Sequence, residues 1–365
     1  MNNKYPIIIP VSEPDEHLIS VITDLIKSDQ KYIVIVDDGC GDESYALFAR
    51  AQKLIAPEGI VISCGEKIGK GGALKTAFRH VLKNMPELKG VVTADVGCLH
   101  TVDCIECVLK KLIDQPNSMV LGVRYFGMEG IAKKSSLGEK LARRVFKYVS
   151  GISVSDMLTG LRGIPACFLP ECLTIKENGF EFGVEMLLRT SGKIGIVETP
   201  TEIIRSPNSE FESDFNHFLD SVKVYKVLCR RFFIFIFSSF SSSIIDLTLF
   251  TLFCILLKQR FPESYIISST VFARIISACF NYIVNYTKVF HSRAKVTTSG
   301  AKYALLAILQ MSCSAMMVNC GKFLLPFIQE TLIKIVVDIF LFFVSYKIQQ
   351  KFVYPMNSKN SDISK

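Results

Sequence analysis

Residues 31–39 read KYIVIVDDG. The run from Ile33 to Val36 is unbroken, apolar and β-branched, and it stops on two carboxylates and a glycine. A short apolar run bounded by turn residues reads as a strand buried on both faces. Asp37 and Asp38 then stand where that strand gives out, which makes the setting of this run the first thing to establish.

The same design recurs on either side. YPIIIPV (5–11), GIVISC (59–64), GVVTAD (90–95) and SMVLGV (118–123) are further apolar runs, and helix-like stretches lie between them. EHLISVITDLIK (16–27), GALKTAFRHVLK (72–83) and VDCIECVLKKLI (102–113) place apolar residues at three-to-four spacing. The alternation predicts β-α-β units, hence an α/β domain with a mostly parallel, Rossmann-like sheet and helices on both faces. Ligands of such sheets sit beyond the carboxyl ends of the strands. Asp37, Asp38 and Asp95 gather there, although Asp-Asp-Gly is also good turn chemistry.

The chain of 365 residues has room for more than one domain. Lys and Arg number 42 against 34 acidic residues, giving a net charge of +8, and 49% of residues are hydrophobic. A basic, apolar chain points to a membrane and away from nucleic acid. The 12 cysteines form no zinc-ligand pattern, since CIEC (104–107) has no second pair or His cluster to complete it. Several others, Cys254, Cys279, Cys313 and Cys320, lie in apolar segments and read as small buried hydrophobes of a reducing compartment. No charged-then-apolar leader precedes IIIPVSEP, so the first domain is expected in the cytoplasm.

After Arg230-Arg231 the composition changes. Residues 232–257 carry a single charge, Asp246, and are long enough to cross a hydrocarbon core of about 30 Å. Candidates near 265–286, 302–324 and 327–350 complete four transmembrane helices. A soluble four-helix bundle would need a polar face on each helix, and the first span has none. Lys and Arg cluster before span 1, between spans 2 and 3 and after span 4, which puts both termini in the cytoplasm of a multi-pass inner (plasma) membrane protein. The expected division is 1–228, 229–355 and a disordered tail at 356–365.

The second half also repeats itself. VNYTKVFHSR and IQQKFVYPM align at an offset of 64, pairing Asn285 with Gln349, Phe290 with Tyr354 and Arg274 with Asp338. An intramembrane Arg and Asp at equivalent depth are costly alone, so the two are expected to approach one another, with Asp246 the competing partner. Arg274, Asn281 and Asn285 share one helical face, which serves either as glue between helices or as a substrate contact.

Other stretches carry charge suited to an anionic ligand. Gly69, Gly71 and Gly72 open a helix and let backbone N–H groups approach an anion, with Lys70 adding charge. Residues 131–151 form a basic amphipathic helix with Leu137, Leu141, Val145 and Tyr148 in one stripe, a candidate for interfacial docking.

The pieces IIPVSEPDEHL, IVIVDDG, EKIGKGGALKTAF, VVTAD, SDMLTGLRGIP and FEFGVEML, in that order, resemble a family 2 glycosyltransferase of the dolichol-phosphate mannose synthase and bactoprenol glucosyl transferase type. SSSIIDLTLF, ARIISACFNYIVNYTKVF and QQKFVYP resemble the GtrA-like membrane domain. The resemblance implies a GT-A fold fused to an all-α membrane domain. It implies inverting transfer of a hexose from a nucleotide-diphosphate sugar (UDP-glucose or GDP-mannose type) to a polyprenyl phosphate, undecaprenyl or dolichyl, for cell-surface polysaccharide or glycan synthesis. A homo-oligomer is compatible with it.

The resemblance assigns Pro10, Glu13, Asp37, Asp38, Lys70, Gly71 and Glu181 to the nucleotide sugar. Asp95, Asp156 and Arg162 carry the transfer, and Arg124, Lys134 and Ser135 meet the lipid phosphate. It implies Mg2+ or Mn2+ on Asp95, with His100 a second ligand. In the membrane half the polar set is Asp246, Arg274, Asn281, Asn285 and Asp338.

Two departures stand out. The family shows Asp-x-Asp at 95–97, whereas this chain has Asp95-Val96-Gly97, and Leu219 replaces an expected Arg. A catalytically silent relative that binds or helps translocate lipid-linked sugar is therefore the competing reading. An ion channel or transporter with a regulatory domain is a third.

Overall fold

The computed structural model describes residues 4–95, 101–124, 137–191, 193–201, 219–261, 263, 265–290, 292, 294–325 and 327–354. The described residues divide into two compact units, one up to Leu228 and one from Cys229 onward.

The first unit is built on a seven-stranded sheet of order β3-β2-β1-β4-β6-β5-β7. The apolar runs become β1 (Ile7–Val11), β2 (Ile33–Asp37), β3 (Ile60–Ser63), β4 (Gly90–Thr93) and β5 (Ser118–Arg124). Two strands lie outside those runs: β6 (Arg162–Pro165) and β7 (Gly195–Thr201). β6 is antiparallel to both β4 and β5, and the other pairings are parallel, so the sheet is mostly parallel.

The period-2 pattern sorts side chains between two faces. Ile7, Ile9, Ile33, Ile35 and Val92 pack with Leu18, Ile22 and Leu25 of α1 (Glu16–Lys27), with α2 (Tyr45–Ile55) and with Ile105, Val108 and Leu112 of α4 (Val102–Asp114). Each such side chain contributes about 1.5–3 kcal/mol relative to exposure. α3 (Lys70–Asn84) packs on β1 and β2 from outside that cluster, and beside it lie α6 (Leu169–Leu173) and α7 (Glu181–Thr190). Asp15 caps α1 by accepting from the His17 N–H, and Thr101 caps α4 by accepting from the Cys104 N–H. In CIEC, Cys104 is buried and Cys107 exposed, so the pair does not converge on a metal.

α5 (Leu137–Ser150) covers the described part of the basic amphipathic segment. Among its described side chains Phe146, Val149 and Ser150 are buried, Val145 and Tyr148 half-buried, and Arg144 and Lys147 exposed. The side chains of Leu137 and Leu141 and the segment before Leu137 lie outside the described residues.

The second unit is helical. It contains residues 229–258 of α8 (Leu219–Lys258), then α9 (Tyr265–Val284), α10 (Val296–Leu324) and α11 (Glu330–Ile348). Among the described residues two stretches, Phe232–Lys258 and Val296–Gly321, are long and apolar enough to cross a membrane. Phe237, Phe240, Leu247 and Ile255 on the first are all more than half exposed, unlike the core helix of a soluble domain.

Each hairpin of this unit ends alike. A π-helical turn follows α9 at Asn285–Val289, and another follows α11 at Gln349–Val353. Asn285 Nδ2 donates to Gln349 Oε1 at 3.1 Å, and the rings of Phe290 and Tyr354 stack with centroids 5.0 Å apart. The repeat read in the sequence is therefore a packed pair of equivalent turns.

Candidate active site

Parallel register sets the carboxyl ends of β1, β2 and β3 side by side, pairing Val11 with Asp37 and Asp37 with Ser63. Asp37 Oδ1 accepts from the Cys40 N–H at 2.9 Å and Oδ2 from the Ser63 hydroxyl at 2.8 Å. Burial pushes its carboxyl up, but hydrogen bonds from Cys40, Ser63 and Gly39 outweigh it and hold Asp37 below the ordinary value. Burial and the neighbouring Asp37 push the Cys40 thiol up to about 12, so it is no nucleophile.

Asp38 turns inward. It is buried, and its Oδ1 accepts from the N–H groups of Ile68 at 2.8 Å and Gly69 at 3.1 Å, pinning the approach to α3. Burial raises its carboxyl above the ordinary value despite those donors. Gly39 has φ +73°, and a Cβ there would collide with the Lys67 nitrogen, so the third residue of DDG must be glycine. Pro10 is half-buried on β1, and Glu13 is exposed in the bend that follows.

Lys70 is the first residue of α3, and its Nζ lies 2.5 Å from Asp95 Oδ2, two residues past β4. The same Nζ sits 5.5 Å from the centre of the Phe180 ring. The glycines around it serve close packing: a Cβ on Gly71 would stand 2.5 Å from Phe182 Cβ. The Gly72 N–H donates to the Asn178 carbonyl at 3.1 Å. Of the three glycines read as an anion cradle, Gly71 and Gly72 thus seat α3 on the 178–182 turn.

The TGLR segment closes the other side of Asp95. Thr93 Oγ1 donates to the Gly160 carbonyl at 2.7 Å, and Thr159 Oγ1 to the Gly122 carbonyl at 2.8 Å. A Cβ on Gly160 would overlap Asp95 Oδ2, so the carboxylate rests on bare backbone. Arg162 is buried, and it donates to the carbonyls of Thr159, Gly183 and Met157 at 2.6–2.9 Å. Desolvation lowers its guanidinium to about 10 against the opposing fields of Asp156 and Asp95. Its hydrogen bonds hold the 157–162 segment to α7, and Arg162 also lines the cavity beside Lys70. Asp156 is half-buried and accepts from the Leu158 N–H at 2.9 Å.

Glu181 Oε1 accepts from the Gly179 N–H at 3.2 Å, while its buried Oε2 has no hydrogen-bond partner. An orphaned buried acceptor costs about 1–3 kcal/mol and suits an incoming hydroxyl. Glu185, one turn on, is buried and ion-paired to Arg189 at 2.9 Å, so it is not an exposed surface residue. A cavity of about 30 Å³, room for roughly one water, lies among Lys70, Thr93, Gly160, Arg162, Phe180 and Gly183.

Sequence reading missed Lys75. It is buried, and its Nζ donates to the carbonyls of Ile175 and Glu177 and to Asn178 Oδ1, tying α3 to the 175–178 turn. The available signal was a lysine placed between Leu74 and Phe78 on the buried face of α3.

Arg124 ends β5, and Lys134, Ser135, Gly97 and His100 lie outside the described residues. For a divalent cation, the donors at the end of β4 among the described residues reduce to Asp95, whose Oδ2 is already held by Lys70. Among the described residues no group of three His, Cys, Asp or Glu could hold a metal ion. These residues do not fit Mg2+ or Mn2+, because a hydrated ion on the Asp95 carboxylate would have to displace Lys70 or the Gly160 backbone.

The helical unit holds a cavity of about 740 Å³. Its lining recurs at the 64-residue offset: Ser239 with Tyr303, Arg274 with Asp338, Asn281 with Ser345. Asn281 bridges Ser238 and Tyr303. Arg274 and Asp338 line one cavity, but the ion pair of Arg274 is with Asp246, at 3.5 Å. Ser277, nearly one turn from Arg274, donates to the same Asp246 carboxylate, and Ser314 donates to Asp338. The expected approach of Arg274 to Asp338 is thus replaced by the competing pair, because Asp246 faces α9 directly.

Comparison with known proteins follows the same division. Residues 7–163 match the model of glycosyl transferase family 2. An uncharacterized protein of Methanocaldococcus jannaschii is 24% identical over 162 residues, or 43% of this chain and 62% of that relative, so the match spans less than two thirds of its length. Among solved structures, a mycobacterial protein aligns with TM-score 0.44 and 16% identity over 62% of this chain and 74% of its own. GalNAc-T7 with UDP, GalNAc and Mn2+ aligns with TM-score 0.41 and 12% identity, over 79% and 57%.

Proposed function

We propose that this chain, with its family 2 domain at residues 7–163, moves a hexose from a nucleotide-diphosphate sugar to a polyprenyl phosphate at a membrane. The observation that carries the reading is the convergence of Asp95, Lys70 and the Thr159–Arg162 segment at the carboxyl end of β4, within that domain. The nucleoside lies along the ends of β1 and β2 beside Pro10 and Asp37, with Asp38 holding the loop that delivers Lys70. The diphosphate meets Lys70, and Glu181 Oε2 receives a sugar hydroxyl.

The acceptor phosphate is already ionised, so no strong general base is required; alignment and charge neutralisation do the work. An acceptor oxygen attacks the anomeric carbon in line, the bond from that carbon to the diphosphate breaks, and its electron pair stays on the departing phosphate oxygen. Configuration inverts. The family implies Mg2+ or Mn2+ at the diphosphate, but the described donor set does not fit one, so each step rests on the chain's own groups.

The helical unit anchors the enzyme in the plasma membrane by four spans, with its basic flanks on the cytoplasmic side. Arg124, Lys134 and Ser135 receive the lipid phosphate, and α5 docks at the interface. The polar cavity between the repeats positions or helps translocate the glycosylated lipid. Gly97, where the family has its second Asp, favours the second reading, a silent relative that binds lipid-linked sugar.

Calorimetric titration of the full chain in detergent with UDP- and GDP-hexoses tests the donor site. Saturable binding of at least one, weakened about tenfold or more by Asp37→Ala, is the expected result. Failure of every donor to bind overturns the transferase assignment.

A further inference from the structure

The leaving diphosphate needs a cation, and the chain supplies one from its own side chains. We propose that Lys70 is that cation, and that its ammonium replaces a divalent metal at the donor site. The inference rests on the transferase reading and departs from the family at the cofactor alone.

Three observations converge. Lys70 Nζ lies 2.5 Å from Asp95 Oδ2, with side-chain exposures of only 23% and 15%, so the charge is held inside the site. The other side of the Asp95 carboxylate is closed by Gly160, where an added methyl group would overlap Oδ2 and stand 2.6 Å from Oδ1. Mg2+ keeps several waters, and a hydrated ion on this carboxylate would have to displace Lys70 or the Gly160 backbone. Finally, the sequence has Gly97 where a second carboxylate would stand, and glycine offers no side-chain ligand.

The chemistry suits an ammonium. It has three N–H donors, one of which is directed at Asp95, leaving two for diphosphate oxygens. Lysine binds phosphate as a point charge. Asp95 aims Lys70, and the Phe180 ring 5.5 Å away backs it. In the transfer step the bond from the anomeric carbon to the diphosphate oxygen breaks as the bond to the acceptor phosphate forms. The electron pair leaves with the nucleoside diphosphate, no proton moves, and Lys70 remains an ammonium throughout.

The test is transfer by the full chain in excess EDTA, in Mg2+ and in Mn2+, beside titration with UDP and GDP under the same conditions. Rates within about twofold across the three, and a loss of about a hundredfold in Lys70→Met that neither metal restores, are expected. Lys70→Arg should retain part of the activity. Transfer abolished by EDTA and restored by Mn2+ would overturn the proposal. Should no transfer occur in any condition, the transferase reading fails, and the titration still decides on Lys70. Nucleotide binding in EDTA that Lys70→Met removes supports it; binding that requires Mn2+, or none at all, rejects it.

Discussion

Asn285 and Gln349 stand 64 residues apart in the chain and 3.1 Å apart in space, the Nδ2 of the first donating to the Oε1 of the second. Both are buried, and each opens a π-helical turn. Asn285→Ala leaves Gln349 with a buried acceptor unpaired, so it should destabilise the helical unit by about 1–3 kcal/mol. Gln349→Ala should cost a similar amount, and the double variant less than the two together. Thermal unfolding of the full chain in detergent measures all three; strictly additive losses would show that the contact does not join the repeats.

Gly160 supports Asp95 with bare backbone. In Gly160→Ala the new methyl group would collide with the carboxylate and displace Asp95 and its Lys70 partner. Misplacement of about 1 Å costs roughly a hundredfold in rate, so transfer should fall by that order while the melting temperature changes little. Unaltered transfer would remove Asp95 from the site.

Arg162 holds the fold of the same segment. Lysine cannot reproduce its fork of donors to Thr159, Gly183 and Met157. Arg162→Lys should therefore cost about 3 kcal/mol of stability, and transfer should fall together with the population of folded protein. A fully folded Arg162→Lys variant with no transfer would instead place Arg162 among the reacting groups.

Two adjacent carboxyls give opposite pH dependence. Asp37 lies below its ordinary 3.8 in the folded chain, so its stabilisation is complete above that value and is lost as pH falls through the lower folded value. Asp38 lies above 3.8, so folding takes up a proton there and stability declines as pH rises through its raised value. Melting temperature against pH should lose its acid-side fall in Asp37→Asn and its opposing rise in Asp38→Asn. Profiles parallel to that of the parent chain would contradict both assignments.

Local pattern carried much of the architecture. β1 to β5 were legible because each is an apolar run between turn residues, and the repeat was legible because Asn285 and Phe290 recur in kind at Gln349 and Tyr354. β6 and β7 were not. Arg162–Pro165 is four residues long inside a segment read for its chemistry, and GIVETPT alternates too weakly to mark a strand.

At the site, Asp37 and Asp95 were placed at the strand ends by topology, whereas the inward turn of Asp38 depends on its bonds to Ile68 and Gly69, 30 residues or more away. The role of Lys75 was hidden for a related reason. A charged side chain reads as solvent-facing until the carbonyls that surround it are known.

The most direct measurement is lipid-extractable label. Membranes containing the full chain are given radiolabelled UDP- and GDP-hexoses with a polyprenyl phosphate. The account predicts a labelled lipid from at least one donor, lost in Asp95→Ala and in Lys70→Met. No labelled lipid from any donor would contradict it.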